Sequence, residues 1–445
     1  MKTAAICLFA AGTVFFVHAE DAPYEVWIGG RPVEVQKIAA PVHTLKGKDA
    51  QPYWYAQFDS PSPVEVRVKA KAGTDAVKVR PGKVAVRTVP GEVVVSVVPP
   101  CQLSVEPNGR HNALILAANL PETDMPDARD PNVVWIGPGR HRRNLELVSG
   151  QTMYLAPGAI LEGSVRGIGT NMTVRGRGAL NGLCWGHLEG PGEHAVHLEG
   201  THITVRDIAL IGSWTWCLVF DKASDVLVDN VKILGGHVLN DDGIDICRSS
   251  KVTIRNTFIR AQDDAIAPKW WCEDLLVEKC VLWVDVANAF RVGYECVPNE
   301  ARGFRNHVYR NIDILHLPIR KTAPEEYWAH CAIFIQPSNE TQFENLLFED
   351  VRLDSVERGD VLLNVKTLAI DRKWNTSMEA GRLRGCTLRN IRSKHLFGPE
   401  TMCVYLEAKD ASHGIEGVVL ENVAGLGRVS AVRTDKPTVT SACRD

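Results

Sequence analysis

A short phrase recurs eight times between residues 205 and 423 and constrains the fold more than any other feature. Two residues, the first apolar, precede an Asn, Asp or other polar residue, and another mostly apolar residue follows. The copies are Val205-Arg206-Asp207-Ile208, Val228-Asp229-Asn230-Val231, Ile254-Arg255-Asn256-Thr257, Val277-Glu278-Lys279-Cys280, Tyr309-Arg310-Asn311-Ile312, Phe348-Glu349-Asp350-Val351, Leu388-Arg389-Asn390-Ile391 and Leu420-Glu421-Asn422-Val423. Their spacings of 23, 26, 23, 32, 39, 40 and 32 residues fit a coil of about 20 to 30 residues with loops inserted in later turns. A second strand set lies between the copies, including Leu218-Val219-Phe220, Ile244-Asp245-Ile246 and Phe290-Arg291-Val292. Helical periodicity is nearly absent, and short β-branched runs bounded by Gly, Asn and Asp are frequent. These signs predict a parallel β-helix, in which equivalent residues of successive coils stack as ladders about 4.8 Å apart. The recurring Asn is expected to form one ladder and to turn the chain through side-chain to backbone hydrogen bonds.

Residues 20–128 read differently. Strands such as Val64-Glu65-Val66-Arg67-Val68 and Val93-Val94-Val95-Ser96-Val97-Val98, separated by Pro- and Gly-containing turns, predict a small antiparallel β-sandwich that caps the open end of the helix. The β-helix is expected over 129–445. Lys2, an apolar run to Val17 and Val17-His18-Ala19 have the form of a secretory signal peptide over residues 1–19, so a periplasmic or extracellular location is expected. No later run is long and apolar enough to predict membrane insertion. The 50 basic and 53 acidic residues give a net charge of −3 without a basic patch, which disfavours nucleic acid as a partner. Of 12 cysteines, none forms a CxxC pair or zinc-like spacing. Cys217, Cys247, Cys280, Cys331 and Cys403 fall inside β-like runs and are expected to be buried thiols.

The chemistry concentrates in two segments one repeat apart, Asn240-Asp241-Asp242-Gly243-Ile244-Asp245-Ile246 and Gln262-Asp263-Asp264-Ala265-Ile266-Ala267-Pro268-Lys269. If they are equivalent strands, Asp242 meets Asp263 and Asp264 on one surface. Glycosidic cleavage needs a protonated carboxyl to donate to the leaving oxygen and an ionised one to activate water or attack the sugar. Any single Asp could merely end a turn, and clustered Asp could ligate calcium.

These two segments resemble the NTDG and GDDCIAIK motifs of polygalacturonases, glycoside hydrolase family 28. The resemblance implies an inverting hydrolase on a right-handed parallel β-helix, with Asp263 as general acid, Asp242 and Asp264 activating water, and Lys269 matching a lysine of the motif. Two further signatures of that family are missing: Val286-Ala287-Asn288 stands for GHG, and Phe334-Ile335-Gln336 for RIK. Loss of that Arg and Lys argues against polygalacturonate itself. Residues 265–295 also resemble the dextranase group, glycoside hydrolase family 49, which likewise puts a β-sandwich before a β-helix.

Substrate-binding candidates surround the acids. Trp270 and Trp271 follow Lys269, and Trp214 and Trp216 precede the acidic turns, with one of each pair expected outward for sugar stacking. Arg291, Tyr294 and Glu295 lie one coil beyond Asp263, Arg291 being able to bind an acidic sugar or to pair with Glu295. His237 and His330 are placed on the rim, on the loops before the strands that carry Asp242 and Gln336, and Gln336 is itself a binding candidate. The resulting expectation is an exported glycoside hydrolase acting by inversion on an α-linked poly- or oligosaccharide, without cofactor or metal. A calcium-dependent polysaccharide lyase and a non-catalytic β-helical carbohydrate-binding protein are the alternatives.

Overall fold

Apolar residues at fixed rungs hold the molecule together. In a computed structural model, which describes residues 22–39, 52–71, 73, 77–110, 112–297, 302–317, 331–354, 361–367, 379–393 and 402–442, Val196, Leu218, Ile244, Ile266, Phe290, Ile333 and Leu363 stack register to register through seven coils. All seven are fully buried. A second ladder runs Val205, Val228, Ile254, Val277, Tyr309, Phe348, Leu388 and Leu420, with the Tyr309 and Phe348 rings parallel at 4.5 Å. Each fully buried side chain of this kind contributes about 1.5–3 kcal/mol. The strands from Val133–Ile136 to Thr438–Ala442 belong to one 25-stranded sheet, the coil-to-coil pairing of a parallel β-helix. The five cysteines expected to be buried are buried. No described helix is long and apolar enough to cross a membrane.

The repeat marks a corner. Its third residue has a left-handed φ in all eight copies, from +50° at Asn256 to +70° at Asp207. Asn and Asp tolerate that region better than other non-glycine residues. The ladder bonds, however, run between side chains, correcting the expected side-chain to backbone pattern. Asn230 Nδ2 donates to Asp207 Oδ1 at 2.8 Å, Asn390 Nδ2 to Asp350 Oδ1 at 3.0 Å, and Asn422 Nδ2 to Asn390 Oδ1 at 2.7 Å. A coil spacing near 4.8 Å brings equivalent amides into mutual reach, so each coil supplies the next one's partner.

Strands between Tyr24 and Asn119 form two five-stranded sheets packed as a sandwich. One is mixed rather than wholly antiparallel, because Tyr53–Asp59 and Leu114–Asn119 pair in parallel. The chain crosses to the facing sheet between these two strands, so no hairpin joins them. The sandwich also does not cap the helix end. Trp54, Ala56, Leu114 and Leu116 fill its interior, while the alternate residues Tyr53, Tyr55, Ile115 and Ala117 pack on Ala209, Ile211, Leu234, Phe258, Val281, Trp283 and Leu315. That outward apolar ladder spans several coils and must be covered along the flank. The sheet is therefore buried on both faces, which erased the one-sided alternation from its strands.

Candidate active site

The register sets the acidic turns side by side. Strands Ile244–Arg255 and Ile266–Glu278 align Ile244 with Ile266, Asp245 with Ala267 and Cys247 with Lys269. The pairing continues into the preceding turns, where the Gly243 amide donates to the Asp264 carbonyl at 2.9 Å and the Asp263 amide to the Asp241 carbonyl at 3.3 Å. Gly243 permits this approach, since a Cβ there would lie 2.4 Å from the Ala265 carbonyl oxygen. Asp241 is spent on the turn itself: its carboxylate accepts from Ser213 Oγ at 2.7 Å and from the Gly236 and His237 amides at 2.6 and 3.2 Å.

The three predicted catalytic carboxyls have different surroundings. Asp242 is buried and accepts from Lys269 Nζ at 3.1 Å; burial pushes it up to about 7, Lys269 pulls against this, and the Asp264 charge adds to the rise. Asp264 accepts from the Asn288 amide at 3.1 Å and from Asn288 Nδ2 at 2.7 Å. Asp263 is half-buried, and its carboxyl has no hydrogen-bond partner among the described residues. Burial, then the charges of Asp242 and Asp264, hold it well above the usual carboxylate range.

Two further acids complete the cluster. Asp245, fully buried, lies 2.9 Å from Lys269 Nζ, and Glu295 lies 3.6 Å from it. Burial works against the ammonium, yet Asp242, Asp245 and Glu295 hold the Lys269 pKa well above normal. Burial likewise drives Asp245 far up. Two buried cations, Lys269 and Arg291, cannot neutralise the five carboxyls of Asp242, Asp245, Asp263, Asp264 and Glu295 together, so protons remain on some of the cluster near neutral pH. Asp245 was legible in principle, because Ile244 and Ile246 point inward and alternation turns the residue between them outward.

A cavity of about 930 Å³ opens above these residues and is lined by Asp242, Asp263, Asp264, Lys269, Trp270, Arg291, Tyr294 and Glu295, among others. Arg291 is buried; its guanidinium lies 4.5 Å from the Tyr294 ring centre and 4.0 Å from that of Phe334, and Nη2 donates to Gln336 Oε1 at 2.6 Å. It pairs with no carboxylate among the described residues, Glu295 being engaged by Lys269 instead. Gln336 thus backs Arg291 from outside the lining set. His237 does not line the cavity either: it is buried against Tyr53 at 5.7 Å, where the sandwich covers the turn. His330 lies outside the described residues.

The tryptophans depart from simple alternation. Trp214 is core and Trp216 half-exposed, but Trp270 and Trp271 are both half-buried, because Trp270 adopts φ +63° at a register shift. Trp216 is stacked by His194 at 5.0 Å and approached by Lys269 Nζ at 3.5 Å, and Arg248 lies over Trp270 at 4.4 Å. These rings position charge around the cavity. Asn288, His194 and His197, also lining it, carried no site signal in the sequence beyond the departure at Asn288.

Comparison with known proteins follows the same lines. Residues 186–282 match the model of glycosyl hydrolases family 28. The chain is 32% identical over 107 residues to "Putative galacturan 1,4-alpha-galacturonidase A" of Aspergillus niger, covering 21% of this chain and 24% of that protein. It is 26% identical over 203 residues to "Probable rhamnogalacturonase E" of Aspergillus flavus, covering 45% of this chain and 39% of that protein. These matches span only about a quarter and two fifths of the relatives' lengths. Dex49A from Penicillium minioluteum shares the fold over 91% of this chain and 88% of its own, with a TM-score of 0.63 and 14% identity. The chain therefore resembles the parallel β-helix glycosidases of glycoside hydrolase families 28 and 49, in sequence around the acidic cluster and in fold across sandwich and helix.

Proposed function

We propose that this protein is an exported glycoside hydrolase that cleaves an α-linked poly- or oligosaccharide by inversion. Asp263 donates the proton to the leaving oxygen, while Asp242 and Asp264 orient and deprotonate the attacking water. One contrast carries the reading: Asp263 faces the cavity without a hydrogen-bond partner, and burial holds its pKa well above the usual carboxylate range, whereas Asp242 and Asp264 are each oriented by hydrogen bonds from Lys269 and Asn288. The protein's own groups do the remaining work. Lys269 pulls Asp242 toward its ionised form against the rise that burial imposes, and Asn288 fixes the Asp264 carboxylate.

Arg291 supports an acidic sugar beside the acid. It is the register partner of Phe334, so a cation stands one coil before the position where the family pattern has its missing Arg, and guanidinium is suited to carboxylates. The relatives' names, a galacturonidase and a rhamnogalacturonase, put uronate-containing glycans first among substrates to try. A calcium-dependent lyase is less favoured, since the Lys269 ammonium already occupies the centre of the Asp242, Asp245 and Glu295 carboxylates.

The test is a panel of pectic chains and α-glucans incubated with the wild-type protein and Asp263→Asn, with product configuration followed by NMR. Reducing ends appearing first as the inverted anomer, and lost in the variant, support the proposal. Retained configuration would overturn inversion; an ultraviolet-absorbing unsaturated product would favour the lyase. No release from any glycan, with unchanged binding by Asp263→Asn, would favour the binding protein.

A further inference from the structure

We infer that Glu193, His194 and His197, on the cavity wall two coils before Asp242, form a binding site for a transition-metal ion of the zinc class. The placement follows from the register. Val196, Leu218 and Ile244 are stacked partners, so His194 lies on the same column as Trp216 and Asp242. All three residues line the cavity, and one ligand atom from each lies within 4.8 Å of the others.

Three observations point to an ion. First, two ring nitrogens, Nδ1 of His194 and Nε2 of His197, are buried with no hydrogen-bond partner, and His194 is only 8% exposed. Buried polar atoms are rarely left this way without a ligand. Second, the imidazole centres are 5.4 Å apart, and two imidazoles sharing a tetrahedral ion at ~2.1 Å bonds have ring centres roughly 5 Å apart. Third, Glu193 pairs with no Lys or Arg among the described residues, its only ion-pair neighbour being His194 at 3.8 Å. The adjacent carboxylates Glu199 and Asp221 are already matched by Arg166, Lys222 and Arg248.

The surroundings fix this geometry. Trp216 stacks on His194 with an interplanar angle of 5°, and Trp214 Nε1 donates to the Gly192 carbonyl at 3.1 Å, holding the start of the segment. Two imidazoles and one carboxylate make a three-ligand set whose fourth position faces the cavity. Imidazole donors favour zinc over calcium or magnesium.

Untagged, chelator-treated protein titrated with Zn²⁺ by calorimetry tests the site, with Co²⁺ absorption spectra as a second readout. One equivalent is expected to bind, with tetrahedral Co²⁺ bands. His194→Ala and His197→Ala should each weaken binding by about 100-fold and Glu193→Gln by about 10-fold, while His202→Ala, at an exposed histidine elsewhere, should leave it unchanged. Glu193 is 80% exposed in its side chain, so Glu193→Gln keeps the test valid if a histidine variant fails to fold. Absence of saturable Zn²⁺ binding, or wild-type affinity in Glu193→Gln and the histidine variants, would overturn the inference. Because the readout is binding of the metal alone, it stands or falls independently of glycan cleavage.

Discussion

Asn288 grips Asp264 twice, from its backbone amide at 3.1 Å and from Nδ2 at 2.7 Å, while its own Oδ1 accepts from the Cys331 amide at 2.9 Å. One side chain thereby ties three successive coils at the level of the acids. Asn288→Ala removes both side-chain bonds and leaves a buried amide unpaired, a cost of about 1–3 kcal/mol. Turnover should fall roughly 10- to 100-fold with KM little changed, since the lost bond orients a carboxylate rather than substrate. Steady-state kinetics alongside a thermal melt would check this; an unaltered kcat would contradict it.

Asp263→Asn should abolish the proton donor without adding strain, lowering turnover by about 10²–10⁴-fold. The raised pKa of Asp263 means wild-type activity survives through neutral pH and declines on the alkaline side as that proton is lost. The pH–rate profile of the residual activity in the variant should lack this limb.

Lys269 is the buried counter-charge for Asp242, Asp245 and Glu295. Removing one member of such a group typically costs about 3–5 kcal/mol. Lys269→Met is expected to lose that much in denaturant unfolding, and adding Asp245→Asn should restore a measurable part of it. Simple additivity of the two changes would argue against the coupling.

The acidic cluster should make stability depend on pH. Burial raises Asp241 to about 6 and Asp242 to about 7, and holds Asp245 and Asp263 well above the unfolded value of 3.8. The folded state therefore binds more protons than the unfolded one. This contribution is complete below the unfolded pKa and is lost as pH rises through the folded values. The melting temperature should fall between about pH 4 and pH 7, and Asp245→Asn should flatten the slope.

Tyr53 Oη donates to the Gly235 carbonyl at 3.0 Å, and its ring meets Arg260 at 4.1 Å and His237 at 5.7 Å. Gly236 and His237 in turn hold Asp241. Tyr53→Ala should destabilise by about 3–5 kcal/mol, as for other large buried aromatics, and should also lower kcat by disturbing the turn before Asp242. Tyr53→Phe, which keeps the ring, should cost about 1 kcal/mol.

The coil, its corners and the nearness of Asp242 to Asp263 and Asp264 are legible in the amino-acid sequence alone. A β-helix repeats one local environment, so inward apolar rungs and corner Asn residues leave a periodic trace, and residues near one another in successive coils can be aligned by counting. Only the tertiary structure decided what surrounds the three acids. Lys269 turned out to be bound by carboxylates, Gln336 to stand behind Arg291, and His237 to lie under the sandwich, because each depends on contacts between segments with no fixed spacing. The flank position of the sandwich was hidden for the same reason. An outward apolar ladder states that something covers it, and packing alone determines what does.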